Sequence, residues 1–391
     1  MSVRKVYSRT DPCSLIPDPL SLIDECVLLK FNSPHSYTGE DVVEFQCHGG
    51  TVTPRRVLEA CLAAGARLAR RGEFTERAFL NGKIDYGQAE SVLDLIDAKT
   101  ARAADAALEG LAGRRRCECR ALYESALDLS TQLEHALDID EGELSAGFAE
   151  ELRVAGCELR ARIETAIRKA NEGKLLRMGA LVVLAGPPNA GKSSLLNALL
   201  EENRAIVSEV PGTTRDSIEA WIDLDGWPVR LVDTAGLRKT KDEVEGEGVK
   251  RAKELLKKAD VVVGLGGLEG LEGRLIAIHA KSDLGRGEGL NVSAKTGEGL
   301  EELKRAIVAK LEEKIVAADE GDAPEGDVAA YHEALALLGE GLKTRDARRE
   351  EDLVLLANAV RNAAERLGAA IGATYSADML DRLFSRFCVG K

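Results

Sequence analysis

The 391 residues predict a multidomain chain of class α/β plus α, in which one α/β domain interrupts a helical bundle and a small α+β domain precedes both. Three observations carry that reading. An apolar run, A-L-V-V-L-A, feeds directly into G-P-P-N-A-G-K-S-S (Gly186 to Ser194) and then into the helical pattern L-L-N-A-L-L. Segments rich in Ala, Leu, Glu and Arg with apolar residues at helical spacing stand on both sides of that region. The first 82 residues instead mix strand-like runs with a single helical stretch.

Taken in order, V-L-L-K-F and V-V-E-F-Q read as strands, with a helix around Pro54 to Ala64. From about Asp85 to Gly173 the pattern is helical, with Leu122, Leu129, Leu133 and Leu137 on one face. The same composition returns after Asp327 in Y-H-E-A-L-A-L-L and L-V-L-L-A-N-A-V-R-N-A-A-E-R-L, beyond an acidic, glycine-containing linker. The expected boundaries are 1–82 for the first domain, 83–176 with 318–391 for the helical domain, and 177–317 for the α/β domain.

Strand, glycine-rich turn and helix N-terminus together make a phosphate-binding loop, because backbone N–H groups and the helix dipole both favour an anion there. Asn189, Ala190, Gly191, Lys192, Ser193 and Ser194 form its business end. Lys192 reaches the terminal phosphates and is assigned a catalytic role; Ser193 ligates Mg2+. Downstream, Gly212-Thr213-Thr214-Arg215-Asp216 supplies a switch threonine, Thr214, for the same Mg2+. V-R-L-V-D-T-A-G then brings Asp233 for the magnesium water shell and the Gly236 amide for the terminal phosphate.

Base identity is read next. After the strand L-I-A-I-H, Ala280-Lys281-Ser282-Asp283 stands where guanine-binding proteins usually show Asn-Lys-x-Asp. The Asp283 carboxylate accepts from both the N1–H and the exocyclic amine of guanine, donors adenine does not present in that arrangement. Lys281 lies along the base, and Ser293-Ala294-Lys295 offers a backbone donor to the guanine carbonyl. With alanine at 280, the hydrogen bonds that asparagine makes to the phosphate loop are missing. The whole is a Ras-like P-loop GTPase pattern with GTP as substrate, except that Leu237 follows D-T-A-G, and an apolar side chain cannot orient water.

Beyond the nucleotide motifs, S-Y-T-G-E-D-V-V-E-F-Q-C-H-G-G (Ser36 to Gly50), R-G-E-F-T-E-R-A-F-L-N-G-K-I-D-Y-G-Q-A-E (Arg71 to Glu90) and D-M-L-D-R-L-F-S-R-F-C-V-G-K (Asp378 to Lys391) closely resemble the MnmE (TrmE) family of tRNA-modification GTPases. The resemblance implies K+ activation, with Asn189, Thr213 and the carbonyls of Ser208 and Val210 as ligands, and Glu245 as the catalytic residue that positions water. It places Ser208 and Thr213 among the nucleotide-binding residues too. It further implies a homodimer, an FAD-binding MnmG (GidA) partner in a heterotetramer, tRNA as the modified molecule, and chemistry at C5 of the wobble uridine. Glu44, Lys83 and Lys391 fall on the family's formyl-tetrahydrofolate contacts, and Cys388 in the tail is a possible further site. The segment T-P-P-G-R-G-G that opens the family has no counterpart, so a shortened first domain is expected. Gly264 to Arg274 is also short for the helix that usually joins two strands there.

Composition limits the alternatives. A net charge of −13 argues against a broad basic surface for nucleic acid, so any tRNA contact is local or shared. The basic clusters Arg67 to Arg71 and Arg114 to Arg120 read more simply as turns of mixed-charge helices. No apolar run approaches the roughly 20 residues of a membrane span, and no secretory pattern opens the chain, which points to the cytoplasm. Eight cysteines without zinc-type spacing read as reduced thiols. From another class, a regulatory or ribosome-associated GTPase switch without modification chemistry fits the nucleotide motifs equally well.

Overall fold

The computed structural model describes residues 2–7, 22–138, 146–202, 219–234, 253–266, 273–317, 327–342, 350–371, 384 and 387. These residues belong to two compact units, one of Met1–Leu93 with Leu111–Gly113 and Thr374–Lys391, the other of Asp94–Gly110 with Arg114–Ala373.

In the first unit, β1 (Ser2–Tyr7), β2 (Leu22–Phe31) and β3 (Val42–Gln46) form an antiparallel sheet in the order β1-β2-β3. The runs V-L-L-K-F and V-V-E-F-Q, marked as strands by their β-branched and aromatic residues, pair with each other, with Leu28 opposite Phe45 and Phe31 opposite Val42. Helix α1 (Val52–Ala63) packs on β2, and α2 (Glu73–Leu80) follows. Gly72, at the N-cap of α2, has φ 65°, and a Cβ there would lie 2.7 Å from the Phe384 carbonyl oxygen. Only glycine meets both conditions without strain. Phe384 and Phe387 complete a small core with Ala89 and Leu93 of α3 (Tyr86–Asp97).

The second unit holds a six-stranded sheet in the order β5-β6-β4-β7-β8-β9, comprising β4 (Ala180–Ala185), β5 (Glu219–Leu224), β6 (Trp227–Asp233), β7 (Val261–Leu265), β8 (Leu275–Ala280) and β9 (Leu290–Val292). All neighbours are parallel except the β5–β6 hairpin. Every residue of β4 is buried, as a central strand covered on both faces requires. Helices α7 (Lys192–Glu202) and α9 (Leu300–Ala317) cover one face, with Leu195, Leu199, Leu303 and Ile307 in the core. A helix over residues 253–258 (α8) contributes Leu255 and Leu256 to the other face. The β7–β8 connection, residues 266–274, is shorter than the dozen or more residues of an ordinary parallel crossover, and 267–272 lie outside the described residues.

Around this domain the expected helices form α4 (Ala101–Leu111), α5 (Arg114–Leu137), α6 (Ala146–Met178), α10 (Asp327–Gly341) and α11 (Glu350–Ile371). Leu122, Ala126, Leu129 and Leu133 make the buried stripe of α5, and Leu353, Leu356, Val360 and Leu367 that of α11. These two helices, more than 200 residues apart in sequence, pack directly against one another. The bundle is therefore one hydrophobic core built from both flanks of the α/β domain. No helix among the described residues is long and apolar enough to cross a membrane.

Candidate nucleotide site

Parallel strands β4, β6, β8 and β9 all end on the same edge of the sheet, so the loops that follow them converge. In an open α/β sheet that carboxyl edge is where ligands bind. The loop after β4 is Gly186 to Gly191. Gly186 has φ 153°, with room for a Cβ denied by the Leu265 carbonyl oxygen at 2.6 Å; Gly191 has φ 100°. Asn189 is left-handed too, at φ 60°, a conformation asparagine tolerates better than most residues. Lys192, almost fully buried, folds back to donate to the carbonyls of Gly186 (3.0 Å) and Pro187 (2.7 Å). Its ammonium is thereby held over the loop whose amides would surround a phosphate.

Ser193, in the first turn of α7, donates its hydroxyl to Asp233 Oδ2 at 2.6 Å. Asp233 closes β6 and is fully buried. Two residues 40 positions apart thus place hard oxygen donors side by side, a pairing suited to Mg2+. Thr234 donates to the Leu184 carbonyl at 2.9 Å, fixing the chain as it leaves the strand.

The loops after β8 and β9 frame a cavity of about 520 Å³ lined by Gly191, Ser194, Leu195, Ala280, Lys281, Asp283, Leu284, Val292, Ala294 and Lys295. Six of these were singled out by sequence as nucleotide-binding residues, and the cavity gathers them. Asp283 accepts a hydrogen bond from the hydroxyl of fully buried Ser293 at 2.9 Å, which orients the carboxylate. Lys281 has φ 63° and its ammonium donates to the Asn189 carbonyl at 3.0 Å. This bond ties the base-reading loop to the phosphate loop although residue 280 is alanine. Besides that bond, the motifs do not disclose Leu195 and Val292 as apolar walls, or the bond from Ser282 Oγ to Glu298 Oε2 at 2.9 Å. Leu195 follows the loop at the spacing of a helix face; nothing in the sequence pairs Ser282 with Glu298.

Ser208, Val210, Thr213, Thr214, Gly236, Glu245, Cys388 and Lys391 lie outside the described residues. Glu44 is an exposed residue of β3, and Lys83 donates to the Pro34 carbonyl at 3.0 Å. The basic clusters are largely engaged by carboxylates. Arg67 and Arg77 both bind the buried Glu73, Arg70 binds Glu76, and Arg114 binds Glu109. The Arg67 guanidinium, the Arg70 amide and the Arg77 guanidinium hold the Glu73 carboxyl far below the usual carboxylate range.

The MnmE helical domain matches residues 87–388, and the N-terminus of the GTP-binding protein TrmE matches residues 4–83. The chain belongs to the MnmE family. Curated MnmE tRNA-modification GTPases are similar along almost the whole length. That of Symbiobacterium thermophilum is 43% identical, over 94% of this chain and 86% of the relative. That of Heliobacterium modesticaldum is 40% identical, over 96% and 87%, and that of Xanthomonas campestris pv. campestris 40%, over 95% and 87%.

Proposed function

We propose that this chain is a GTP hydrolase of tRNA modification, activated by K+ and acting with an FAD-dependent MnmG-type partner at C5 of the wobble uridine of certain tRNAs. One observation carries the nucleotide part: Gly191 and Ser194 of the phosphate-loop segment and Asp283, oriented by Ser293, line one cavity, while the adjoining residues of that segment set Lys192 against the loop carbonyls and Ser193 against Asp233. Lys192 neutralises charge on the terminal phosphates, and Ser193 with Thr214 holds Mg2+, which would supply charge neutralisation between the phosphate groups. Asp283 selects guanine by accepting from its two adjacent donors. Asn189, left-handed at φ 60° in the phosphate loop, is the described member of the K+ set; Ser208, Val210 and Thr213 are the others. Glu245 orients the attacking water, the work an apolar Leu237 cannot do.

The domain division into 1–82, 83–176 with 318–391, and 177–317 belongs to the same reading, with the first domain supporting a homodimer and formyl-tetrahydrofolate. A carboxylate at Glu44 suits the N–H groups of a pterin, and the ammonium groups of Lys83 and Lys391 suit a glutamate tail. The site location is proposed as cytoplasmic, alongside tRNA. Asp283→Asn tests the nucleotide reading: calorimetric affinity for GDP should fall by about tenfold or more, as expected when bonds to a charged acceptor are lost, with weak ADP binding unchanged. Equal affinity of the unaltered chain for ADP and GDP would overturn it.

A further inference from the structure

We infer that Glu298 is a positioning residue for guanine recognition, acting through Ser282 on the loop that carries Asp283. The inference rests on the guanine reading of the cavity and deepens it. Asp283 sits in the loop after β8, and Glu298 in the loop after β9. The Glu298 carboxylate reaches across with both oxygens. Oε2 accepts from Ser282 Oγ at 2.9 Å and Oε1 accepts from Arg286 Nη2 at 3.0 Å, so it grips the base-reading loop on either side of Asp283.

Glu298 is itself fixed. Its carbonyl accepts from the Ser293 amide at 2.9 Å and its amide donates to Thr296 Oγ1 at 3.3 Å. Gly299, next in the chain, has φ 77°, and a Cβ there would lie 2.1 Å from the Asn291 carbonyl oxygen, so the backbone can pass only as glycine. The same loop also provides Ser293, whose hydroxyl donates to Asp283. Two hydroxyl–carboxylate bonds, running in opposite directions between the loops, therefore set where the Asp283 carboxylate stands. Residue 280 adds no side-chain bond, since it is alanine.

The two grips differ in weight. Arg286 is 77% exposed at its side chain, and an exposed ion pair contributes little. Ser282 is 8% exposed, so loss of its acceptor strands a hydroxyl away from water. Positioning runs through Ser282. Because Gly191 to Ser193 meet the phosphates, a shift of Asp283 alters base discrimination and leaves phosphate binding in place.

The test uses the full chain and the affinities for GDP and for inosine diphosphate, whose base keeps N1–H and lacks the exocyclic amine. Glu298→Ala should lower the GDP-over-IDP preference by about tenfold, the scale of one bond to a charged acceptor. Ser282→Ala should do the same, Arg286→Ala should change the ratio less than about twofold, and Glu298→Gln should keep it, because the amide oxygen still accepts from Ser282. A ratio unchanged in both Glu298→Ala and Ser282→Ala, with both affinities falling together, would mean a merely structural role and overturn the inference. If Glu298→Ala does not fold, Ser282→Ala decides alone. An unaltered chain that binds GDP and IDP equally would overturn the guanine reading itself, and the inference with it.

Discussion

Single residues in this chain are held by a few short, named bonds, and their titration follows from those bonds. Glu73 is the clearest case: nearly fully buried, it accepts from Arg67, from the Arg70 amide and from Arg77. Its folded-state carboxyl titrates far below an unfolded glutamate at about 4.3. The stability it contributes is fully present above that unfolded value and is lost as pH falls toward the folded one. Glu73→Gln should therefore lower stability by about 1–3 kcal/mol at neutral pH. Urea midpoints of the two proteins should converge as the solution is acidified below pH about 4; a constant gap down to pH about 3 would contradict the assignment.

At the scale of elements, glycine positions and one arginine fix how pieces meet. Gly72→Ala would force a left-handed alanine against the Phe384 carbonyl, and a loss of about 1–3 kcal/mol is expected by chemical denaturation. Arg102 of α4 lays its guanidinium 4.1 Å from the centroid of the Trp227 ring and binds Glu172 of α6, while Thr100 donates to the Gly226 carbonyl at the tip of the β5–β6 hairpin. That hairpin joins the switch threonines to Asp233. Arg102→Ala should cost about 1–2 kcal/mol through lost cation–π contact and stem packing, measured by urea midpoint; Arg102→Lys should recover part of it.

Elements were also the most legible feature of the sequence. The runs A-L-V-V-L-A and V-V-E-F-Q are β4 and β3 residue for residue, because continuous apolar or β-branched runs have few other stable fates. The leucine spacing of residues 122–133 became the buried stripe of α5. Within the candidate site, the placement of Lys192 and Ser193 at the head of a helix after a strand, and of Asp233 and Asp283 at or just after strand ends, was legible from the motif spacing. Ser282, Glu298 and the Lys281–Asn189 bond were not, since they join loops distant in sequence and obey no period.

For the whole molecule, the bundle closes on itself through α5 and α11, and the nucleotide domain is an insertion into that single core. An insertion whose two ends both enter one bundle core is the layout expected of a GTP-driven cycle. In the proposed mechanism a cation and Glu245 perform the catalysis that Leu237 cannot. The measurement is GTP turnover by the full chain in K+ and in Na+ at equal ionic strength, for the unaltered protein and Glu245→Ala. Strong stimulation by K+ that Glu245→Ala abolishes is expected; equal slow turnover in both salts, with GDP still bound, would contradict the proposed mechanism.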